Sequence, residues 1–196
     1  LWTAPAEVAY RWFAHRLAPV ELRGVGGTLW HGHAEGASVF GQALGRVEWQ
    51  LSRSALLRRT LDAELTVAGE GIAGHGFLHG EGDDIEVRAL KGQFPASLLG
   101  PALDIPALTL LGQVDVDMSA LRLSQGVPST MLGQIRWRDL AVAGAATAAL
   151  PGVVVNFVPV TDGSIRGDIE DLGGPLAIAG QVGGLGRLLV QFLLTV

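Results

Sequence analysis

The sequence predicts a mainly β protein: one curved, open antiparallel sheet, half-barrel-like in shape, with a short N-terminal helix. From Val20 onward apolar and polar side chains alternate with a period of two, which is typical of strands with one face on a core and the other in water. Glycine accounts for 28 of 196 residues, about twice its usual share of ~7%, which favours short strands joined by tight turns. No helical segment separates the alternating stretches, as a parallel sheet would require. These stretches cover residues 46–51, 61–67, 85–88, 108–118, 134–138 and 165–170.

Residues 3–17 form the segment with the best helical character. Thr3 can cap this helix, Pro5 suits its first turn, and Pro19 ends it. Its aromatic residues leave two interpretations open: the helix packs on the sheet, or it lies at a membrane surface. Because the chain begins without Met, we expect residues 1–18 to be a helix that follows a removed membrane anchor, although an ordinary boundary fits the same residues.

The remainder, residues 19–196, is predicted to be a single β domain. No Ser-rich or charged linker divides it. Two short helical segments are predicted within it, over residues 52–60 and 94–99. Because the strands follow one another across short turns, we expect each strand to pair with its neighbour in the sequence.

An internal similarity divides this domain near its middle. The stretch LGRVEW at residues 44–49 recurs 88 positions later as LGQIRW at residues 132–137. Either the domain consists of two similar halves, about 20–99 and 108–196, or two amphipathic strands resemble each other by chance.

Charge and cysteine usage exclude several function classes. The 14 Lys and Arg residues are outnumbered by 19 acidic residues, and the net charge is −5, whereas nucleic-acid-binding proteins concentrate positive charge on one face. The absence of Cys excludes disulfides, thiolate catalysis and Cys-based metal sites. We therefore expect no nucleic-acid partner.

The candidates for chemistry are weak. Residues 69–74 match the pattern G-x-G-x-x-G, but the glycine-rich stretch after them cannot hold the helix that a dinucleotide site needs. His31 and His33 would share a strand face, as would His75 and His79, either as metal ligands or as solvated side chains. No G-x-S-x-G elbow occurs. We expect no enzyme activity and no catalytic, cofactor or metal site.

Four short motifs resemble a known family when they are taken in order. They are LRGVGGTLWHG at residues 22–32, LGRVEW at 44–49, FPA at 94–96 and GGPL at 173–176. This set is similar to protein N of the bacterial type II (general) secretion pathway (GspN), from about Pro19 to the C-terminus. The motif residues are Gly24, Gly27, Thr28, Leu29, Trp30, Gly32, Gly45, Trp49, Trp137, Gly173, Gly174 and Pro175.

The resemblance implies an inner-membrane protein of Gram-negative bacteria whose β domain lies in the periplasm. It would be a non-enzymatic accessory or scaffold component of the type II secretion apparatus. Its expected partners are inner-membrane platform components, the outer-membrane secretin, and the membrane itself, through an N-terminal anchor absent from this chain.

An alternative function follows from the apolar residues of the sheet. A curved sheet with few helices to cover it could hold a lipid or another apolar ligand on its concave face. The residues that would line such a groove are Trp30, Trp49, Trp137, Val190 and Phe192. The three tryptophans are equally explained as core side chains. We also expect Thr28, Trp30 and Gly32 to face one side of a strand, with Leu29 and His31 on the other.

Overall fold

The computed structural model confirms the predicted fold class, a single open antiparallel sheet with a short N-terminal helix. It describes residues 5–8, 10, 20–100, 109–125, 127–144, 147–159, 165–173, 177–183 and 189–195. Within these residues the sheet has 13 strands. The strands are β1 (Val20–Gly27), β2 (His31–Val39), β3 (Gln42–Leu51), β4 (Thr60–Gly69), β5 (Ile72–Glu81), β6 (Asp84–Pro95), β7 (Thr109–Ser124), β8 (Val127–Ala143), β9 (Thr147–Ala149), β10 (Val153–Pro159), β11 (Ile165–Asp171), β12 (Ala177–Gly183) and β13 (Leu189–Thr195).

The strands pair in the order of the sequence, as predicted. Each strand from β1 to β8 lies beside the next, β8 continues to β10, and the order then runs to β13. The short strand β9 pairs with β8 alongside this path. Because successive strands are joined by short connections, antiparallel pairing needs no crossover.

Short helical segments accompany the sheet in the described residues. Residues 6–8 and 10, in the middle of the predicted N-terminal helix, are helical. Helix α1 (Arg53–Leu57) and a 3₁₀ helix (Ala96–Leu99) lie inside the two segments expected to be helical. Both follow the end of a long strand and reverse the chain toward the next one.

The strand register gives the sheet two chemically different faces. On β3 and β4, Val47 lies opposite Val67 and Trp49 opposite Leu65, whereas Glu48 lies opposite Thr66 on the other side. The apolar face continues through Leu78, Val87, Leu90, Val116, Met118, Ile135, Val155, Phe157 and Ile169. The polar face continues through His75, His79, Glu86, Arg88, Lys91, Asp115, Asp117, Gln134, Arg136, Asn156 and Asp168.

The tightest packing lies on the apolar face, over β6, β7 and β8. Ala96 of the 3₁₀ helix packs on Leu110 and Val114, and all three are buried. Phe94, Ile135 and Trp137 are among the partly buried side chains around them.

The first motif segment forms a hairpin turn, so the expected alternation of faces across residues 28–32 is wrong. The Thr28 amide donates to the His31 carbonyl oxygen (2.9 Å), and the His31 amide donates to the Thr28 hydroxyl (3.1 Å). Gly27 has φ +80°, and a Cβ there would lie 2.6 Å from the His31 oxygen. The chain therefore bends at residues 29–30 instead of continuing as a strand.

The N-terminal segment contacts edge strand β1 at two points. The Leu22 amide donates to the Tyr10 hydroxyl (2.9 Å), and Pro5 forms an antiparallel bridge with Thr28, just beyond the strand. These contacts occupy part of an edge that would otherwise present unpaired backbone groups.

Candidate functional site

Trp49 forms the centre of the first group of motif residues. Its indole lies directly on Gly32, its cross-strand partner, where a Cβ would overlap the ring. The indole Nε1–H donates to the Leu29 carbonyl oxygen (3.1 Å). The glycine thus allows the ring to lie flat against β2, and the hydrogen bond ties β3 to the turn between β1 and β2.

Trp137 repeats this arrangement on β8. Its Nε1–H donates to the Leu111 carbonyl oxygen (2.9 Å), and its cross-strand partner is Val114. In both cases the acceptor lies three residues before the partner on the preceding strand. Trp137 differs in its packing, because it contacts the buried group around Ala96.

Trp30 lies in the β1–β2 turn and has a different environment. The Arg53 guanidinium lies 5.4 Å from the centre of its ring, a cation–π distance. Its Nε1 atom is buried without a hydrogen-bond partner among the described residues. The Leu51 amide donates to the Trp30 carbonyl oxygen (2.7 Å), which fixes the turn against β3.

The structure brings some of the predicted site residues together and separates others. Thr28, Leu29, Trp30, Gly32 and Trp49 meet around the β1–β2 turn. Four others are spread along the sheet: Gly24 in β1, Gly45 in β3, Trp137 in β8 and Gly173 after β11. Val190 and Phe192 belong to β13, but their side chains lie outside the described residues. Gly174 and Pro175 lie outside the described residues altogether.

On the polar face, acidic side chains are paired across neighbouring strands. Glu64 on β4 contacts His75 on β5 (2.9 Å), and Asp62 contacts His79 on the same pair of strands (2.5 Å). Asp115 accepts two hydrogen bonds from Arg138 (2.6 and 2.9 Å). Such pairs satisfy charges within the protein and fix cross-strand neighbours.

Glu86 lies at the centre of the strongest charged cluster of this face. It accepts two hydrogen bonds from Arg88 (2.8 and 2.9 Å) and one from Arg122 (3.3 Å). The hydrogen bond from Arg88 has the largest effect, and together these contacts lower the pKa of Glu86 from 4.5 to about 2. The cluster joins β6 to β7, the strands on either side of the predicted division into halves.

The polar face also carries open recesses, two of which have lining side chains that bear on the predicted histidine pairs. One, of about 670 Å³, is lined by Thr66, His75, Lys91, Gln93 and Arg136 among others. A second, of about 560 Å³, contains side chains of both histidine pairs, His31 and His79. As predicted, each histidine pair shares a strand face. Nevertheless, no group of three or more His, Asp or Glu residues in the described part is arranged to hold a metal ion.

The G-x-G-x-x-G match at residues 69–74 is a hairpin. Gly69 pairs with Ile72, so Glu70 and Gly71 form a two-residue turn between β4 and β5. The amides there do not open a helix, and the phosphate-binding geometry of the dinucleotide motif is not formed.

Two features were not singled out from the sequence. The Glu86 cluster needs the β6–β7 register, which no local pattern gives; the Glu86–Arg88 spacing is its only signal. The other is Phe40, which follows Val39 and precedes Gly41 between two alternating stretches. A residue before Gly at such a point is a hairpin signal.

Among the described residues, no helix is both long enough and apolar enough to cross a membrane.

Comparisons with known proteins give one family and one curated relative to report. The model of the family described as type II secretion system, protein N, matches residues 18–190. The chain is 27% identical over 146 residues to the type II secretion system protein N of Vibrio cholerae serotype O1. That match covers 70% of this chain and 56% of the relative, so the chain spans little more than half the relative's length. No solved structure matches the chain significantly.

Proposed function

The chain belongs to the type II secretion system protein N family, and from this premise we propose that it is a non-enzymatic scaffold of that apparatus. It is held at the inner membrane by an N-terminal anchor, with its β domain in the periplasm. The domain binds other secretion components, among them the inner-membrane platform and the outer-membrane secretin.

The observation that carries this proposal is the open, single-layer sheet. Thirteen strands in one layer expose two long faces and two edges, which is far more surface than a small enzyme site uses. In the described part, β13 pairs with β12 alone, so its second row of backbone groups is available for strand addition. The other edge, β1, already contacts Tyr10 and Pro5.

The proposal is tested by co-purification and by export of a folded substrate in cells that carry the full-length protein. Deletion of the protein should abolish or strongly reduce export, and the wild type should co-purify with the platform components. A Gln191→Lys change places a charge in β13, which opposes strand addition. We expect it to lower co-purification about tenfold.

Gln50→Lys is the matched control, because it makes the same exchange at an exposed position of interior strand β3. It should leave co-purification unchanged. Normal export in the deletion strain would contradict the scaffold proposal, and equal losses in both variants would contradict the role of β13.

The alternative function is binding or transfer of a lipid or another apolar ligand on the apolar face. One observation favours it: Leu61 and Ile85, which flank Gly80 on this face, each remain 38% exposed. Apolar side chains left open in a continuous row can receive an acyl chain.

Native mass spectrometry of the purified protein, followed by lipid extraction, separates the two functions. The alternative predicts co-purified acyl chains that are lost in Ile85→Asp, whereas the scaffold proposal predicts a ligand-free protein. Leu132→Asp is the control, since Leu132 is similarly exposed at 42% but lies opposite Ala120, which faces Arg88 on the polar side of the sheet.

A further inference from the structure

The turn between β2 and β3 has an unusual residue in a demanding position. Val39 pairs with Gln42, so Phe40 and Gly41 form a two-residue hairpin loop. Both have positive φ, +48° for Phe40 and +76° for Gly41. This is the type I′ pattern, which favours Asn, Asp or Gly at the first position because a bulky side chain is strained there.

Phe40 is also the most exposed large apolar residue of the described part, at 57%. Its ring therefore contributes little to the core while its backbone is held in an unfavourable conformation. The other two-residue hairpin loops carry small or polar residues at the same position: Glu70 after β4, Gly82 after β5 and Gln125 after β7.

Among the described residues, the charged side chain nearest to Phe40 in the strand register is acidic. Val20 lies opposite Val39 and Glu21 opposite Ser38, whereas Arg23 lies two residues farther from the turn, opposite Gly36. A carboxylate at this position disfavours contact with an anionic membrane surface and favours a partner that carries positive charge.

We infer that Phe40 is an anchor that inserts into an apolar pocket of another protein of the secretion apparatus, one whose pocket is rimmed by Lys or Arg. This inference rests on the proposed function, because it names the contact through which the scaffold would hold one partner. A rigid aromatic ring on a short, fixed turn loses little conformational entropy when it is buried, which suits such an anchor.

The decisive variant is Phe40→Asn, because the fold and the anchor predict opposite effects for it. Asn suits the type I′ turn, so we expect the Tm to rise by about 2–4 °C. Loss of the ring should lower co-purification with the platform components about tenfold and reduce export accordingly. Phe40→Trp should retain binding.

Gln125→Asn is the matched control. Gln125 also has positive φ (+51°) at the first position of a two-residue loop, so its Tm should rise similarly while binding and export stay normal. If Phe40→Asn lowers the Tm, or leaves co-purification and export at the wild-type level, the inference that Phe40 is an anchor is refuted. The scaffold proposal is tested separately, and it still stands if deletion of the whole protein abolishes export.

Photo-crosslinking in cells identifies the partner directly. With p-benzoylphenylalanine at position 40 we expect an adduct to one secretion component, at least tenfold stronger than from position 125. Vesicles of phosphatidylethanolamine and phosphatidylglycerol serve as the competing probe. Sedimentation of the wild type with these vesicles, lost in Phe40→Asn, would overturn the inference in favour of a membrane contact, as would the absence of any protein adduct at position 40.

Discussion

The stretches at residues 44–49 and 132–137 use the same local geometry in two different packing environments. Each has a positive-φ glycine at its second position, Gly45 (+97°) or Gly133 (+144°), and ends with a tryptophan whose indole donates to a backbone carbonyl, that of Leu29 in the β1–β2 turn or that of Leu111 in β7. The tryptophans differ in what lies beneath them: backbone at Gly32 for Trp49, and the buried Val114 for Trp137. A short sequence match therefore predicts hydrogen bonding and backbone shape better than it predicts burial.

This similarity supports our proposal that the domain consists of two similar halves. The relation between a tryptophan, its cross-strand partner and its acceptor is the same in both stretches, although the hairpins differ in length. Trp30 has no counterpart, because Gly112 follows Leu111 where Trp30 follows Leu29.

The largest predicted effect distinguishes the two tryptophans. Trp137→Ala removes a ring from the best-packed part of the apolar face and should lower the free energy of unfolding by about 3–5 kcal/mol. Trp49→Ala removes a ring that lies on backbone and should cost roughly 2–3 kcal/mol. Urea denaturation of both variants measures the difference. Equal losses would mean that the two environments are energetically alike.

The two glycines should respond alike. A Cβ at Gly45 or Gly133 would overlap a carbonyl oxygen of the neighbouring strand, Ala68 or Asp117, in addition to the strain of positive φ. We expect Gly45→Ala and Gly133→Ala each to cost about 2–4 kcal/mol. Gly71→Ala is the control, since φ is +68° there but nothing lies within 4 Å; it should cost only about 1 kcal/mol. A tolerated alanine at either strand glycine would contradict the shared geometry.

The indole hydrogen bonds should contribute equally in the two stretches. Trp49→Phe and Trp137→Phe keep most of the ring and remove the donor to Leu29 or Leu111. Each should cost about 1 kcal/mol. Thermal unfolding followed by circular dichroism is sufficient to compare them, and an effect confined to one variant would show that the similarity is geometric only.

The smallest expected effect is a pH dependence at the junction between the halves. The pKa of Glu86 is about 2 in the folded protein, below its ordinary 4.5. A carboxyl with a lowered pKa stabilises the fold above its unfolded pKa, and this contribution is lost as the pH falls from about 5 toward 2. Glu86→Gln should flatten the decline in Tm over that window. An unchanged profile would mean that the Arg88 and Arg122 contacts do not persist in solution.

The alternation of side chains predicted the fold class, the short connections predicted the pairing of successive strands, and helix-end signals predicted the two short helical segments, because each of these signals is local. The alternation did not predict the turn at Thr28, because the sequence Thr-Leu-Trp-His is typical of an extended strand. The turn depends on the hydrogen bond to the Thr28 hydroxyl and on the positive φ of Gly27. The alternation also missed the irregular positions at Ala89 and Asp139, where non-glycine residues adopt positive φ. Register shifts lie beside both, and these depend on contacts between strands rather than on sequence pattern.

For the site, sequence patterns identified the residues around the first turn but not their spatial relation to Trp137, five strands away. The Glu86 cluster joins Glu86 to Arg122, which lies 36 positions later on the next strand. No sequence pattern within either strand predicts this contact. Phe40 carried a signal in its position before Gly41, but its exposure and backbone conformation are properties of the folded chain.

The central structural claim is one continuous sheet in which β6 of the first half pairs directly with β7 of the second. Because the chain contains no Cys, engineered pairs report on this register without background. Gln93 lies directly opposite Asp115, so Gln93→Cys combined with Asp115→Cys should form an intramolecular disulfide on mild oxidation. Gln93→Cys combined with Asp117→Cys, displaced by two residues, should not. A disulfide in the displaced pair would contradict this register, and so would the absence of a disulfide in both pairs.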